Sequence, residues 1–310
     1  MKKAKAIWEI SPQATVYTNP EVLNIFSSEV HWWLASKGEE EQCLWPVTLN
    51  EESLVFIPPF SYCQSPLWTP MGMNIPYHRS ISRVVTIYET FIERLIEEYG
   101  QVKASLHPSL FDVRAFDWWN YGKPLPQFKI KPRYTAVIKD IDLPGEELKR
   151  NFRTNRRREL KKFHKIKEHF YFDDQCSAQE FITLYRHKLN IEKNVSDDDL
   201  SVLLKIVNHG FGWILAARRK SDNTLCGLII VFNHKCTANL VINIVLDEYK
   251  KQGLMAECIA RTLVEAKKRK ITYFDFNGAN SPNRGDDKHS YNAEPVLYFD
   301  IEYPYYENAS

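Results

Sequence analysis

Residues 243–266, NIVLDEYKKQGLMAECIARTLVEA, decide how this 310-residue chain folds. An apolar run ends at Leu246, a short turn carries Lys250, Lys251, Gln252 and Gly253, and helical periodicity begins at once from Leu254. A strand feeding straight into a helix leaves the first helical N–H groups without partners, and their partial positive charge makes the turn an anion site. The two lysines add charge, and Gly253 lets the backbone come close to a ligand, which suits a pyrophosphate. Taken alone, so short a motif is more often an ordinary strand-to-helix connection.

Working outward, three β-rich runs lead into this junction: FGWILAARR (211–219), LCGLIIVF (225–232) and TANLVINIVL (237–246), with Asp222-Asn223 turning the first into the second. A periodic helix over 254–270 and a strand, TYFDFNG (272–278), complete a β-β-β-α-β order, and helical patterns at 177–192 and 197–209 precede it. Farther upstream, the spacing of Leu148, Phe152, Leu160, Phe163, Ile166 and Phe170 predicts one long helix over 146–170. Asn155, Arg156 and Glu159 fall on its inward stripe, where polar groups need partners, so they form either a buried network or the wall of a binding cleft. Residues 149–167 hold ten Lys or Arg against the single acid Glu159, a charge of +9 in a chain whose net charge is +2. Basic charge is therefore concentrated, although outward-facing Arg153, Arg157, Arg158, Lys161 and Lys162 read most simply as a solvated face.

The first half of the chain reads as CLWPV (43–47) and LVFIPPF (54–60) strands, then a helix on which Ile81, Val84, Val85, Tyr88, Phe91, Ile92 and Leu95 repeat. Residues 111–138 mix aromatics, prolines and charges without period, which predicts either a loop lining a ligand or an aromatic plug between lobes. A chain of this length calls for two lobes. The start, MKKAKAIWEI, lacks the apolar run of a signal peptide, and no stretch could span a bilayer. The six cysteines show no Cys-x-x-Cys pair or histidine at metal spacing, so they read as reduced thiols in a cytoplasmic protein without a metal site.

The order around Gly253 resembles the acyl-CoA-binding segment of the GNAT superfamily, Arg/Gln-x-x-Gly-x-Gly/Ala after the fourth strand. Lys250-Lys251-Gln252-Gly253-Leu254-Met255 follows that pattern with lysine at its first position and Met255 at its last, and Ala256 comes next. A wider resemblance, to the FemAB-related acyltransferases, is carried by NFRTNRRRELKKF (151–163), the Gly253 turn and FDFNGANSPNRGDDKHSYNAEP (274–295). In the last, Lys288, Tyr291 and Ala293 fit the Lys-x-x-aromatic-Gly-Ala ending of that family, with Asn292 in place of glycine. The resemblance implies an α/β (α+β) fold of two GNAT-like lobes, each a mixed, mostly antiparallel sheet flanked by helices: a degenerate lobe over 1–144 and an acyl-CoA-binding lobe over 145–310. It implies further that Ile244, Val245 and Leu246 lie beside the thioester, and that Lys250, Lys251, Gln252, Gly253, Leu254, Met255 and Ala256 hold coenzyme A.

Acyl transfer to an amine needs a base for the attacking nitrogen, an acid for the departing thiolate and donors for the oxyanion. Asp247, Glu248, Asp286, Asp287, His289 and Tyr291 are candidates for proton transfer. Of these, His289 titrates in the right range, Tyr291 suits protonation of the thiolate, and Asp287 lies in the same loop. For an acceptor bearing a base, a diphosphate and a sugar, the expected contacts are Trp118, Asn120, Tyr121, Arg133, Tyr134, Asn155, Arg156, Asn277 and Asn280. The expected activity is N-acylation of a dTDP- or UDP-linked amino sugar for surface polysaccharide, from acyl-CoA, with small-molecule partners and neither nucleic acid nor membrane. Two alternatives stand beside it: aminoacyl transfer from transfer RNA to a peptidoglycan precursor, with the +9 stretch as a nucleic-acid patch, and a non-enzymatic GNAT-like binding scaffold.

Overall fold

The computed structural model describes residues 1–73, 76–139, 141, 145–189 and 195–305. They form two compact units, Met1–Arg133 with Leu297–Ser310, and Tyr134–Val296. The division therefore falls at 133/134 and the chain returns to the first unit near its end, where the sequence suggested one boundary at 144/145. No helix among the described residues is long and apolar enough to cross a membrane.

The first unit contains α1 (Lys2–Ile10), α2 (Pro20–Phe26), β1 (Glu29–Lys37), β2 (Glu40–Leu49), β3 (Leu67–Trp68), α3 (Pro70–Met73), α4 (Tyr77–Tyr99), β4 (Val102–Ser105), α5 (Arg114–Asp117) and the start of β5 (Gln127–Lys139). β1, β2 and β3 make an antiparallel sheet. Its centre is Trp45, which meets Tyr88, Phe91 and Phe116 edge-on at 5.6–6.2 Å between ring centres. α4 spans the predicted helix and ends on Gly100 in the left-handed region, the usual glycine stop. Residues 54–60 are not a strand: Val55 alone bridges to Leu49, and Pro58 and Pro59 have no N–H for a ladder. The aperiodic 111–138 segment resolves into α5 and β5, which bury Phe116 and Phe128 and leave Trp118, Tyr121 and Leu125 exposed.

The second unit contains α6 (Gly145–Arg150), α7 (Thr154–His164), β6 (Phe170–Asp173), α8 (Ala178–Leu189), α9 (Asp197–Ile206), β7 (Gly212–Arg219), β8 (Leu225–His234), β9 (Thr237–Val245), α10 (Asp247–Lys250), α11 (Leu254–Lys268), β10 (Tyr273–Asp275), α12 (Pro282–His289) and the start of β11 (Glu294–Tyr305). Its strands run β5-β10-β9-β8-β7-β6 and pair antiparallel except for the parallel β10–β9 pair. The predicted β-β-β-α-β order is present as β7, β8, β9, α11 and β10. α8 covers most of the 177–192 helix, whose final residues lie outside the described ones. In the first unit β4 pairs with the far end of β11, Ala104 opposite Ile301.

The single helix expected over 146–170 is broken into α6, α7 and a 3₁₀ turn at Lys167–His169 before β6. Arg153 is extended, with φ −56° and ψ 153°, and its N–H donates to the Ser290 carbonyl at 2.9 Å, which separates α6 from α7. Phe170 opens β6 opposite Arg219. Leu148, Phe152, Phe163 and Phe170 nevertheless share one core, so the apolar spacing was met by two helices and a strand.

Candidate active site

β10 pairs with β9 over three residues only, Tyr273–Asp275 against Thr237–Asn239, and β9 then continues to Val245 alongside β8. The β8–β9 ladder slips between Leu240 and Ile242, a bulge at the place where β10 departs. Beyond Asp275 the chain turns through Asn277 and Gly278, both at positive φ, a conformation that asparagine tolerates better than most residues. The Asn277 side chain donates to the Leu240 carbonyl at 2.9 Å and accepts from Asn239 at 3.2 Å, while its N–H donates to Asp275 Oδ1 at 2.7 Å. Asn277, expected to contact an acceptor, is instead a buried wedge that bonds the turn after β10 to β9.

Two titratable groups meet at this wedge. Asp275 is buried, accepts from the Thr135 hydroxyl and the Asn277 N–H, and is pushed up to about 6 by burial. Lys288, in the last turn of α12, donates Nζ to the carbonyls of Asn277 and, at 2.6 Å, Gly278. Burial brings its ammonium down to about 8, against the opposing pull of the Asp275 charge. In the sequence Lys288 was a motif residue without a role, and Asp275 and Thr135 went unnoticed. The available signal was an acid between two phenylalanines in the strand FDF (274–276).

Next to this pair, α7 is pinned to α12. Arg156 donates Nε to Ser290 Oγ at 2.6 Å, Nη1 to Glu159 at 2.7 Å and Nη2 to Asp287, and its guanidinium lies 5.0 Å over the Tyr291 ring. The polar stripe of α7 is thus a structural network. Tyr291 stacks on Phe276, meets Phe152 edge-on, is 1% exposed, and has no hydrogen-bond partner for its hydroxyl among the described residues. Burial pushes that phenol far above its ordinary range, so Tyr291 serves as a core residue and not as the expected proton donor. Asp287 is engaged by Arg156. His289 donates Nδ1–H to the Ala293 carbonyl at 2.7 Å, leaving Nε2 without a partner among the described residues. Asn155 is exposed and accepts from the Arg156 N–H, and Asn280 accepts from the Tyr134 N–H at 2.7 Å, tying the loop after β10 to β5.

At the turn after β9, Gly253 has φ 92°, and a Cβ there would collide with the Glu159 carbonyl of α7. The glycine is therefore required by the packing of α7 on the start of α11, where the sequence suggested the approach of a pyrophosphate.

No protein-family model and no curated protein matches the chain. Solved structures do match. FemX aligns over 96% of this chain and 95% of its own, with 8% identity and a TM-score of 0.62. L-PGS from Bacillus licheniformis aligns over 100% and 92%, with 12% identity and a TM-score of 0.56. A tandem GNAT protein from the clavulanic acid biosynthesis pathway aligns over 97% and 94%, with 10% identity and a TM-score of 0.52. The chain has the FemAB-like tandem GNAT fold.

In this tandem GNAT chain the remaining expected residues are spread widely. Ile244, Val245, Leu254 and Ala256 are core, Met255 is half-buried, and Lys250, Lys251 and Gln252 are exposed. Leu246 lines a cavity of about 670 Å³ with Asp247, Glu248 and, from α8, Thr183, Leu184 and His187. Gln252 lines another of about 490 Å³ with Arg219, Lys220 and Tyr249. Trp118, Asn120, Tyr121 and Arg133 belong to the first unit. There Asn120 closes a turn by donating to the Pro126 carbonyl at 2.7 Å, and Arg133 pairs with Asp300 at 3.1 Å. Tyr134, in the second unit, is half-exposed. Among the described residues no three His, Cys, Asp or Glu side chains are grouped to hold a metal.

Proposed function

We propose that the second unit transfers an acyl group to a primary amine where β9 and β10 part, with Lys288 moving the proton. The observation that carries this is a half-buried lysine, held by the Asn277 and Gly278 carbonyls, whose pKa of about 8 lets it exist in both protonation states near neutrality. As the amine attacks, the N–C bond forms and the carbonyl oxygen becomes an oxyanion. The nitrogen then surrenders a proton, the bond from carbon to the leaving group breaks, and that group takes up a proton. Neutral Lys288 accepts the first proton and, as an ammonium, supplies the second. Its third N–H, beyond those given to Asn277 and Gly278, is the one available to the reacting atoms.

The first reading of the substrates is acyl-CoA as donor and a nucleotide-linked amino sugar as acceptor, in the cytoplasm. Exposed Lys250, Lys251 and Gln252 beside the start of α11 support the donor, as does a neighbouring tandem GNAT structure described as lacking AcCoA. Exposed Trp118 and Tyr121 support an acceptor with a base and a sugar, and the free Cys43, Cys176, Cys226, Cys236 and Cys258 suit a reducing compartment. The test offers acyl-CoA with a panel of dTDP- and UDP-amino sugars and measures release of free thiol. No release above background from folded protein rejects this donor.

A second reading, aminoacyl transfer from transfer RNA, is favoured by the outer face of α7. Arg157, Arg158, Lys161, Lys162 and Lys165 are exposed there without a carboxylate partner among the described residues. Closure of Gly253 by α7 also weakens the case for a pyrophosphate at that point. Transfer-RNA binding that falls steeply with salt, without thiol release from acyl-CoA, selects this reading.

A further inference from the structure

The first unit holds a cavity of about 680 Å³ formed by the end of β1, the start of β2 and the early turns of α4. Among the described residues its charged lining is Lys37, Arg79 and Arg83, without a carboxylate. Among the described residues none of these three cations is in an ion pair. Arg79 and Arg83 lie one turn apart on α4, where like charges repel, and Lys37 adds a third positive charge.

The cavity is built around a bulge. Ala35 pairs with Cys43 and Ser36 with Glu41, so Gln42 is the extra residue of β2. Gln42 is 2% exposed, and its Oε1 accepts from Arg83 Nη2. The half-buried Arg83 guanidinium is held by a neutral amide, which leaves its other donors without a carboxylate. Ser36 and Ser82, both exposed, line the same space.

We propose that this cavity binds the phosphate group of a phosphorylated small molecule, as a monoester or a diphosphate. Phosphate oxygens accept hydrogen bonds, carry more charge than a carboxylate and match the fork of an arginine, while serine hydroxyls complete the donor set. The volume lies in the range of small-molecule sites and exceeds what a bare phosphate fills. The site is independent of the transfer chemistry of the second unit.

Calorimetry on the full chain at low salt, with inorganic pyrophosphate as the probe, tests the proposal. Wild type shows one saturable site that weakens as salt rises, and Arg83→Gln raises Kd by about tenfold or more. Lys37→Gln, at the exposed end of a strand, weakens binding without lowering Tm, so the test stands even where Arg83→Gln loses stability. Lys161→Gln on α7 leaves the isotherm unchanged. No saturable binding up to about 10 mM overturns the proposal, as does a loss confined to Lys161→Gln, which assigns the anion to α7.

Discussion

Lys288 gives two of its three N–H groups to carbonyls, and burial sets its pKa near 8, so one N–H and a readily exchanged proton remain for chemistry. If it acts as the base, kcat/KM rises with pH through about 8 and then levels. Lys288→Met removes that inflection and lowers the rate by about two to four orders of magnitude, and Lys288→Arg keeps the charge but fails to restore the profile. Asp275 gives a separate test through stability. Its folded pKa, about 6, lies above the usual 3.8, so its contribution is fully present below the lower value and is lost as pH climbs through the upper one. Asp275→Asn should flatten stability across that window, by roughly 2–3 kcal/mol in urea unfolding compared at its two ends. At this scale the sequence was least readable. Lys288 and Tyr291 belong to one motif, yet the first faces polar carbonyls and the second is sealed between Phe276 and Phe152. Spacing alone does not distinguish those surroundings.

Arg156 ties α7 to α12, alongside Arg153 and the apolar seat of Phe163. Arg156→Ala leaves Asp287 and Glu159 without their cation and Ser290 without its donor, so stability should fall by about 3 kcal/mol in denaturant titration, with a smaller loss for Arg156→Lys. Gly253→Ala drives a methyl into the Glu159 carbonyl and imposes positive φ on an L side chain, at a cost of roughly 2 kcal/mol or more, read in the same titration. Substitution at Gly253 therefore reports on the seat of α7 before it reports on any ligand. The elements from 211 to 278 were legible because their apolar runs are bounded by turn residues and buried on both sides. The 146–170 stretch was misread because a helical stripe and a helix–strand succession deliver the same aromatics to one core. β1 and β11 went unread because β1 buries none of its residues fully, β11 buries only three of twelve, and both carry charges along the strand, so neither shows a clean apolar period.

Cys43, Cys176, Cys226, Cys236 and Cys258 are free, and burial raises the thiols of Cys43, Cys226 and Cys258. A thiol reagent at pH 8 should modify Cys236 first, reach those three only after denaturant is added, and find a Tm indifferent to reductant. Two lobes were expected from length alone, but their boundary was not, because β5 begins in one unit and ends in the other. β11 does the same in the opposite direction and brings Asp300–Tyr303 to β4. A ribosome therefore completes every residue of the second unit before it releases the segment that pairs with β4. During synthesis the first unit waits with an unpaired strand edge, and released chains ending at residue 296 should be cut by protease near β4, whereas released chains ending at 305 should resist.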